Sequence, residues 1–287
     1  MPKSRDRPTP GEMTVLGDPR AGDRSRYCVL PGFGGTALFD ADFHSFSFAP
    51  HFHDTLMIGL ILEGEKRFSR GPDWHRVARG GLSVVNPGDM HTGGVAVRGE
   101  RLRYRAVYPS AALLAESGLP QGADFGAAVV DDRTLEGLFA RALDPDSPAA
   151  EAEEALLIAL MDLGLRQGTG EAPRNSASCG RSVSRAVDYI EAHLGTPLRL
   201  EQIAAEAGIG PRHLLRGFRR ILGATPQQYV RQARVRRVCR LLRAGEGLAQ
   251  AAGAAGFADQ AHMTRVFRSL LGMTPSAFLT AWRASLT

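Results

Sequence analysis

A repeated segment constrains this chain more than any other feature of its sequence. RGFRRILGATPQQYV, from Arg216 to Val230, returns 49 positions later as RVFRSLLGMTPSAFL, from Arg265 to Leu279. Before each copy stands a short alanine-rich stretch closed by glycine, EQIAAEAGI before the first and AQAAGAAGF before the second. Each unit therefore predicts a helix, a tight turn and a second helix, the layout of a helix-turn-helix.

The second helix of each unit is the candidate recognition helix, and its outer face is polar. In the first, Pro211–Leu222, we expect Leu214 and Phe218 on the core side. The side chains predicted to contact DNA are Arg212, Leu215, Arg216 and Arg219 in the first unit and Gln260, Ala261, His262, Arg265 and Arg268 in the second. Arginine can pair with guanine and glutamine with adenine in the major groove.

Charge is divided unevenly between the two halves of the chain. Residues 183–287 carry 15 arginines, no lysine and 6 acidic residues, a net charge of +9, whereas residues 1–182 have a net charge of −4. A basic second half favours a polyanionic partner for that half alone. The alternative is a solvated face on a stable helical domain.

Several features of this half together resemble the C-terminal domain of the AraC family of transcription regulators. They are the Gly256-Phe257 pair, an R-x-F-R and a later T-P in each unit, and the 49-residue repeat. The resemblance implies two helix-turn-helix units joined by a long helix, with recognition helices in successive major-groove turns about 34 Å apart. Gly210-Pro211, where the family usually has a serine cap, and Leu215, where a polar residue is common, depart from the pattern and affect base preference.

The sequence pattern of the first half is typical of short strands and turns. LMIGLILEGE predicts a buried strand, LSVVNPGDMH a strand that runs into a Pro-Gly turn, and RLRYRAVYP a strand of period two with Arg101, Arg103 and Arg105 on one side. Strands at this spacing, punctuated by Gly and Pro, favour a small sandwich or barrel.

HFHDTLMIGLILEGE and LSVVNPGDMH resemble the two motifs of a cupin barrel, as found in the sensor half of AraC-type regulators. The resemblance brings together the predicted effector-binding residues His51, His53, His91 and Met57. Metal-binding cupins have a Glu where Met57 and Ile58 stand here, so we predict no metal and no other cofactor. We expect a small organic effector with a polar or anionic head, with the arginines of the RLRYR strand as further candidates. Histidines satisfied by their neighbours at a barrel rim are the alternative.

The predicted fold class is α+β with two domains: a cupin-like β-barrel with following helices, then an all-α domain with two helix-turn-helix units. The predicted division is a mobile leader at 1–25, a sensor domain at 26–166, a linker at 167–182 and a DNA-binding domain at 183–287. The helices predicted at 132–143 and 149–166 either close the barrel or pair with a second copy of the chain.

These patterns predict a transcription regulator that senses a small molecule, and not an enzyme. The expected partners are double-stranded DNA, a small-molecule effector and RNA polymerase, with a homodimer left open. No apolar run is long enough to span a bilayer, so we expect no membrane partner and a cytoplasmic location. The three cysteines form no CxxC, and free thiols are expected. The competing hypotheses are a metal-dependent cupin enzyme with a DNA-binding tail and a DNA binder that needs no effector.

Overall fold

The structure, a computed structural model, describes residues 22–30, 35–120, 122–168, 177–271 and 273–284. Its N-terminal part is built from strands and its C-terminal part from helices, which confirms the predicted two-domain α+β class. The strands among these residues are β1 (Arg24–Leu30), β2 (Thr36–Phe43), β3 (Ser47–His51), β4 (Met57–Glu63), β5 (Glu65–Arg70), β6 (Asp73–Ala78), β7 (Leu82–Val85), β8 (His91–Val95), β9 (Leu102–Tyr108) and β10 (Val129–Val130).

The strands form two antiparallel sheets with a shared aromatic core. One sheet has the order β1-β2-β9-β4-β7-β10 and the other β3-β8-β5-β6. Phe39, Phe43 and Tyr104 of the first sheet meet Phe68 of the second in the interior. This interior is the place where the sequence predicts the effector site.

Three helices cover the outer face of the larger sheet. They are α1 (Ala111–Glu116), α2 (Arg133–Ala142) and α3 (Ala149–Gln167). In β4, Ile58 and Leu60 pack against these helices while Met57 and Ile61 face the aromatic core. A strand buried on both faces reads as a continuous apolar run, and this explains LMIGLIL.

The C-terminal part consists of seven helices within the described residues. They are α4 (Ala177–Ala192), α5 (Leu200–Glu206), α6 (Pro211–Leu222), α7 (Pro226–Arg243), α8 (Leu248–Ala254), α9 (Gln260–Leu271) and α10 (Pro275–Ala284). Helices α5 and α6 form the first helix-turn-helix, and α8 and α9 form the second. Helix α7 joins them.

Local signals set the bounds of these helices. Gly208 and Gly256 end the first helix of each unit with φ of +69° and +83°, a conformation that glycine adopts without steric cost. A Cβ on Gly256 would also lie 2.2 Å from the carbonyl oxygen of Leu194. Thr225 and Gln228 form the capping box that starts α7, with Pro226 at its first position.

Two predicted boundaries differ from the observed structure. Residues 24 and 25 of the expected leader already belong to β1, and the buried carboxylate of Asp23 accepts hydrogen bonds from the backbone of His44 and Ser45. Helix α4 begins at Ala177, inside the stretch expected as a linker. Residues 1–21 and 169–176 of these two segments lie outside the described residues. Within the described part, none of the helices is both long and apolar enough to cross a membrane.

Candidate DNA-binding surface and effector site

The outer face of α6 presents the residues that the sequence predicts for DNA contact. Arg212, Arg216 and Arg219 are exposed, while Leu215 is partly buried. All four line one open surface that extends along the helix from Gly210 to Arg219. Leu214 and Phe218 are fully buried on the other side. The arrangement leaves the cationic groups accessible to a large partner.

The outer face of α9 has the same character with one difference. Gln260, Ala261, Arg265 and Arg268 are exposed. His262 is only partly exposed because its ring packs edge-on against the ring of Phe257, with 5.4 Å between centroids. The backbone N–H of His262 donates to the Asp259 carboxylate at 2.6 Å, so Asp259 caps the helix.

The arginines on these two faces have no acidic partners in the described part of the chain. No carboxylate there lies within 4 Å of Arg212, Arg216, Arg219, Arg265 or Arg268. Cationic groups left unpaired on one surface favour a polyanion such as the DNA backbone.

Three imidazoles meet in the interior of the N-terminal part, as the sequence predicts. The ring of His91 lies 4.1 Å from that of His51 and 4.7 Å from that of His53, measured between centroids. His51 ends β3, His91 begins β8, and the two residues are paired across the sheet. The ring of Tyr108 contacts His53 at 5.2 Å.

Each imidazole uses one ring nitrogen for the backbone. The Nδ1 atoms of His51, His53 and His91 lie 2.9, 2.6 and 3.0 Å from the carbonyl oxygens of Ala49, Thr55 and Asp89. A neutral imidazole that donates from Nδ1 keeps Nε2 as an acceptor. The Nε2 atom of His53 is buried and has no hydrogen-bond partner within the described residues. The cluster therefore offers at least this one polar atom to a ligand.

Burial holds the three imidazoles in the neutral form. It lowers the pKa of His51 to about 3 and that of His53 to about 4, and it takes the pKa of His91 well below 6.5. Positive charge on neighbouring imidazoles and on Lys66 lowers the pKa of His51 and His91 further. Lys66 is a member of this interior that sequence reasoning missed. In EKRFSR the alternation of exposed Arg67 with buried Lys66 and Phe68 is a period-two signal that places Lys66 inside.

The other candidates for this site differ in where they lie. Met57 is buried in the aromatic core. The suggestion that the arginines near β9 turn inward is wrong for Arg101 and Arg105. Arg101 pairs with Asp42 at 2.8 Å and with Glu63 at 3.2 Å, and Arg105 pairs with Asp40 at 3.2 Å. These pairs lie on the outer surface because the inner face of β9 is filled by Leu102, Tyr104 and Ala106.

The residues around the imidazoles do not fit a metal ion. The carboxylates on the same segments are already engaged, since Asp54 pairs with Arg236 and Asp89 with Arg70. The positive charge of Lys66 acts on all three imidazoles and opposes a cation among them. In the described part of the chain, no group of three His, Cys, Asp or Glu side chains is arranged to hold a metal.

A second set of contacts joins the histidine segment to the DNA-binding part. Phe52 is 5% exposed and stacks on Tyr229 of α7, with 4.9 Å between ring centroids and 17° between planes. The guanidinium of Arg236 lies 4.8 Å from the centroid of the Phe52 ring, within cation–π range. Met90 belongs to the same buried cluster.

Polar groups complete this contact. Arg236 donates to Asp54 at 2.5 Å and to Glu191 of α4 at 2.5 Å. Gln232 donates to the carbonyl oxygen of Pro50, and its own side-chain oxygen lies 3.4 Å from the backbone N–H of Phe52. We call this set, Phe52, Asp54, Glu191, Tyr229, Gln232 and Arg236, the interdomain clasp. The sequence pattern does not single out Arg236 among the many arginines of α7.

Comparison with known proteins agrees with the geometry of both parts. A family model of the AraC-like ligand binding domain matches residues 33–162, and a model of a helix-turn-helix domain matches residues 203–281. This chain belongs to the AraC family. It is therefore a transcription regulator with an N-terminal ligand-binding domain and a C-terminal DNA-binding domain.

Its relatives in sequence are transcription regulators. The HTH-type transcriptional regulator YbfI of Bacillus subtilis is 25% identical over 224 residues, which are 75% of this chain and 81% of that protein. The probable thc operon regulatory protein of Rhodococcus erythropolis is 35% identical over 98 residues. That match spans 33% of this chain and only 30% of the relative's length.

A solved structure shows the same fold over most of the chain. The apo form of a ToxT variant from Vibrio cholerae superposes with a TM-score of 0.53 at 13% identity. The match covers 85% of this chain and 97% of ToxT. At this identity the likeness concerns the arrangement of helices and strands alone.

The buried imidazoles predict how stability depends on acidity. Their pKa values are lower in the folded chain than in the unfolded chain, so the unfolded chain binds more protons below about pH 6.5. We therefore expect the melting temperature to fall steadily from pH 6.5 to pH 4.5. His91→Gln, which cannot titrate, should show a shallower fall in differential scanning fluorimetry. The exposed His193→Gln serves as the control. Equal slopes for His91→Gln and the wild type would contradict the neutral buried state.

Proposed function

We propose that this regulator binds its effector inside the sensor barrel and responds by altering the packing of its two domains. The observation that carries the proposal is the position of the histidine cluster. It lies inside the ligand-binding domain, includes the buried Nε2 atom of His53, which has no hydrogen-bond partner among the described residues, and belongs to the same segment as the interdomain clasp. Asp54 and Asp89, the carboxylates on the histidine segments, are held in ion pairs, which favours a binding protein over an enzyme.

We infer that α6 and α9 read DNA through the exposed residues named above. Arg216 and Arg265 occupy equivalent positions of the repeat, and both are exposed without an acidic partner among the described residues. His262 is less available for base contact than the sequence alone suggests, because its ring packs against Phe257. Such a protein acts in the cytoplasm, where the chromosome of a bacterium lies.

The route from effector to DNA runs through the clasp in this proposal. In the extended segment from His51 to Asp54, alternate side chains serve different partners. His51 and His53 join the interior cluster, while Phe52 and Asp54 hold α7. A shift of the imidazoles therefore moves the contacts on α7 directly.

We propose two further partners, a second copy of the chain and RNA polymerase. For the second copy we propose the outer face of α3, where Ile158, Met161 and Leu165 are 43%, 46% and 84% exposed. Their spacing of three and four residues places them on one side of the helix. A symmetric pair would bury this apolar stripe against itself, as closed homodimers do. RNA polymerase is the partner expected of a regulator that acts at promoters.

The base-reading residues can be tested on a preferred duplex selected from random DNA. Arg216→Ala and Arg265→Ala should each cost about 1–3 kcal/mol on that duplex and relax the choice of one base, because each removes a guanine contact. Arg283→Ala, an exposed arginine of α10, is the matched control. An equal loss on unrelated sequences would assign the residue to phosphate instead. No loss in either variant would contradict the assignment of the recognition helices.

The effector site can be tested with the double variant His51→Ala, His91→Ala. A reporter gene is placed behind the preferred duplex, and the small-molecule fraction of a cell lysate serves as the probe. We expect the response to the probe to vanish while ligand-free affinity for DNA stays within about threefold, since the DNA-binding surface is untouched. Retained response would remove the histidines from the site. Circular dichroism and the melting temperature distinguish lost sensing from lost folding.

The clasp can be tested through the shape of the ligand-free protein. Arg236→Gln removes the charge that pairs with Asp54 and Glu191, so we expect a larger radius of gyration in small-angle X-ray scattering. Asp54→Asn should act in the same direction. Arg240→Gln, an exposed arginine one turn further along α7, is the control. An unchanged radius in both clasp variants would show that other contacts hold the domains together.

The proposed dimer face can be tested by the mass of the protein in solution. Leu165→Glu places a charge in the apolar stripe of α3, and we expect it to convert a dimer to a monomer in light scattering at micromolar concentration. Glu153→Gln, an exposed change on the same helix, should leave the mass unchanged. A monomeric wild type at these concentrations would contradict the proposal.

A further inference from the structure

A buried amine lies in the same interior of the N-terminal part as the histidine cluster. Lys66 is 5% exposed and reaches from β5 across the interior to the opposite sheet. Its Nζ donates to the hydroxyl of Ser83 on β7 at 3.1 Å. The same atom lies 4.6 Å from the ring centroid of Tyr104 on β9 and 5.3 Å from that of Phe68. An ammonium has three donors, and Ser83 takes one of them.

The charge of this lysine has no counter-ion in the described part of the protein. No carboxylate there lies within 4 Å of its Nζ. The ionisable groups that face it are His51 from β3, His53 from the segment after β3, His91 from β8 and Tyr104 from β9. None of these supplies a negative charge at neutral pH. Burial alone lowers the pKa of Lys66 to about 8, so most of the population is still cationic at pH 7.

An unpaired charge in an apolar interior is costly, and proteins usually pair it. A neutral ligand would leave that cost in place, and a cation would increase it. An anion would remove it, since the ammonium has donors to spare. A nearby negative charge also favours protonation of the imidazoles, and a protonated His53 could donate from the Nε2 atom that now has no partner.

We propose that Lys66 is the anchor of an anion-binding site, and that the effector carries a carboxylate or a phosphate which pairs with it among the three imidazoles. The inference rests on the proposed function because it places the head of the effector in the same interior. It adds the chemical class of the ligand and the residue that selects it. Ser83 orients the ammonium, and Tyr104 and Phe68 screen it from solvent.

The first test needs no ligand. The melting temperature of the full chain is measured from pH 6.5 to pH 9.5 for the wild type, Lys66→Met and Ser83→Ala. At pH 7 we expect Lys66→Met to melt higher than the wild type, by about 2–4 °C, because it removes the uncompensated charge. Between pH 8 and pH 9.5 the folded wild type loses its proton while the unfolded chain keeps its own, so the wild type should gain stability and the gap should narrow. Ser83→Ala keeps the charge and should follow the wild-type slope.

The second test adds ligands at pH 7. The probes are sodium octanoate with octanamide, sodium benzoate with benzamide, and inorganic phosphate, each at the same ionic strength. We expect at least one anion to raise the melting temperature of the wild type and none to raise that of Lys66→Met. The neutral amides should have no such effect. A carboxylate that acts where phosphate does not, or the reverse, identifies the head group.

Three results of the melting experiments, and one of the reporter assay, would overturn the inference. One is a Lys66→Met variant that melts lower than the wild type at pH 7 with the same pH slope, since the lysine would then be structural. Another is equal stabilisation by the acids and their amides, and the last is no effect of any anion. If His51→Ala, His91→Ala abolishes the reporter response while Lys66→Met leaves it intact, the proposed function stands and the anion site alone fails.

Discussion

The alternation of side chains along the segment from His51 to Asp54 connects the two halves of this regulator. His51 and His53 point to one side of this segment, and Phe52 and Asp54 point to the other. One side meets the histidine cluster and the other meets α7. Since the backbone between them is only a few bonds long, neither side can move far without the other. Four consecutive residues therefore connect the sensor interior to α7, the helix that joins both DNA-binding units.

Electrostatics separates the two functional surfaces. On α6 and α9 unpaired arginines face water, which solvates them at little cost until DNA replaces it. Inside the barrel the lack of a partner costs free energy, because the buried Lys66 has little water around it to solvate its charge. The chain thus presents positive charge in two environments, one suited to an extended polyanion and one to a single small anionic group.

Much of the DNA-binding part could be predicted from the sequence because its signals are local. Pro211 and Leu222 bound α6 as the pattern indicates, and Thr225 with Gln228 starts α7 through contacts three residues apart. The convergence of His51, His53 and His91 was also predictable, though through a family resemblance and not through local spacing. The direction of Arg101 and Arg105 was not, since period two shows that they share a face and does not show which face is buried.

The sequence by itself determined the fold class, the two helix-turn-helix units and the residues that lie on their outer faces, because helix periodicity, capping and glycine turns act over a few residues. Only the tertiary structure decided that Lys66 crosses the interior to Ser83 and that Phe52 and Asp54 hold Tyr229 and Arg236. Those contacts join residues on different strands or about 180 positions apart. No local pattern encodes such a pairing, since it depends on where the sheets and helices pack against one another.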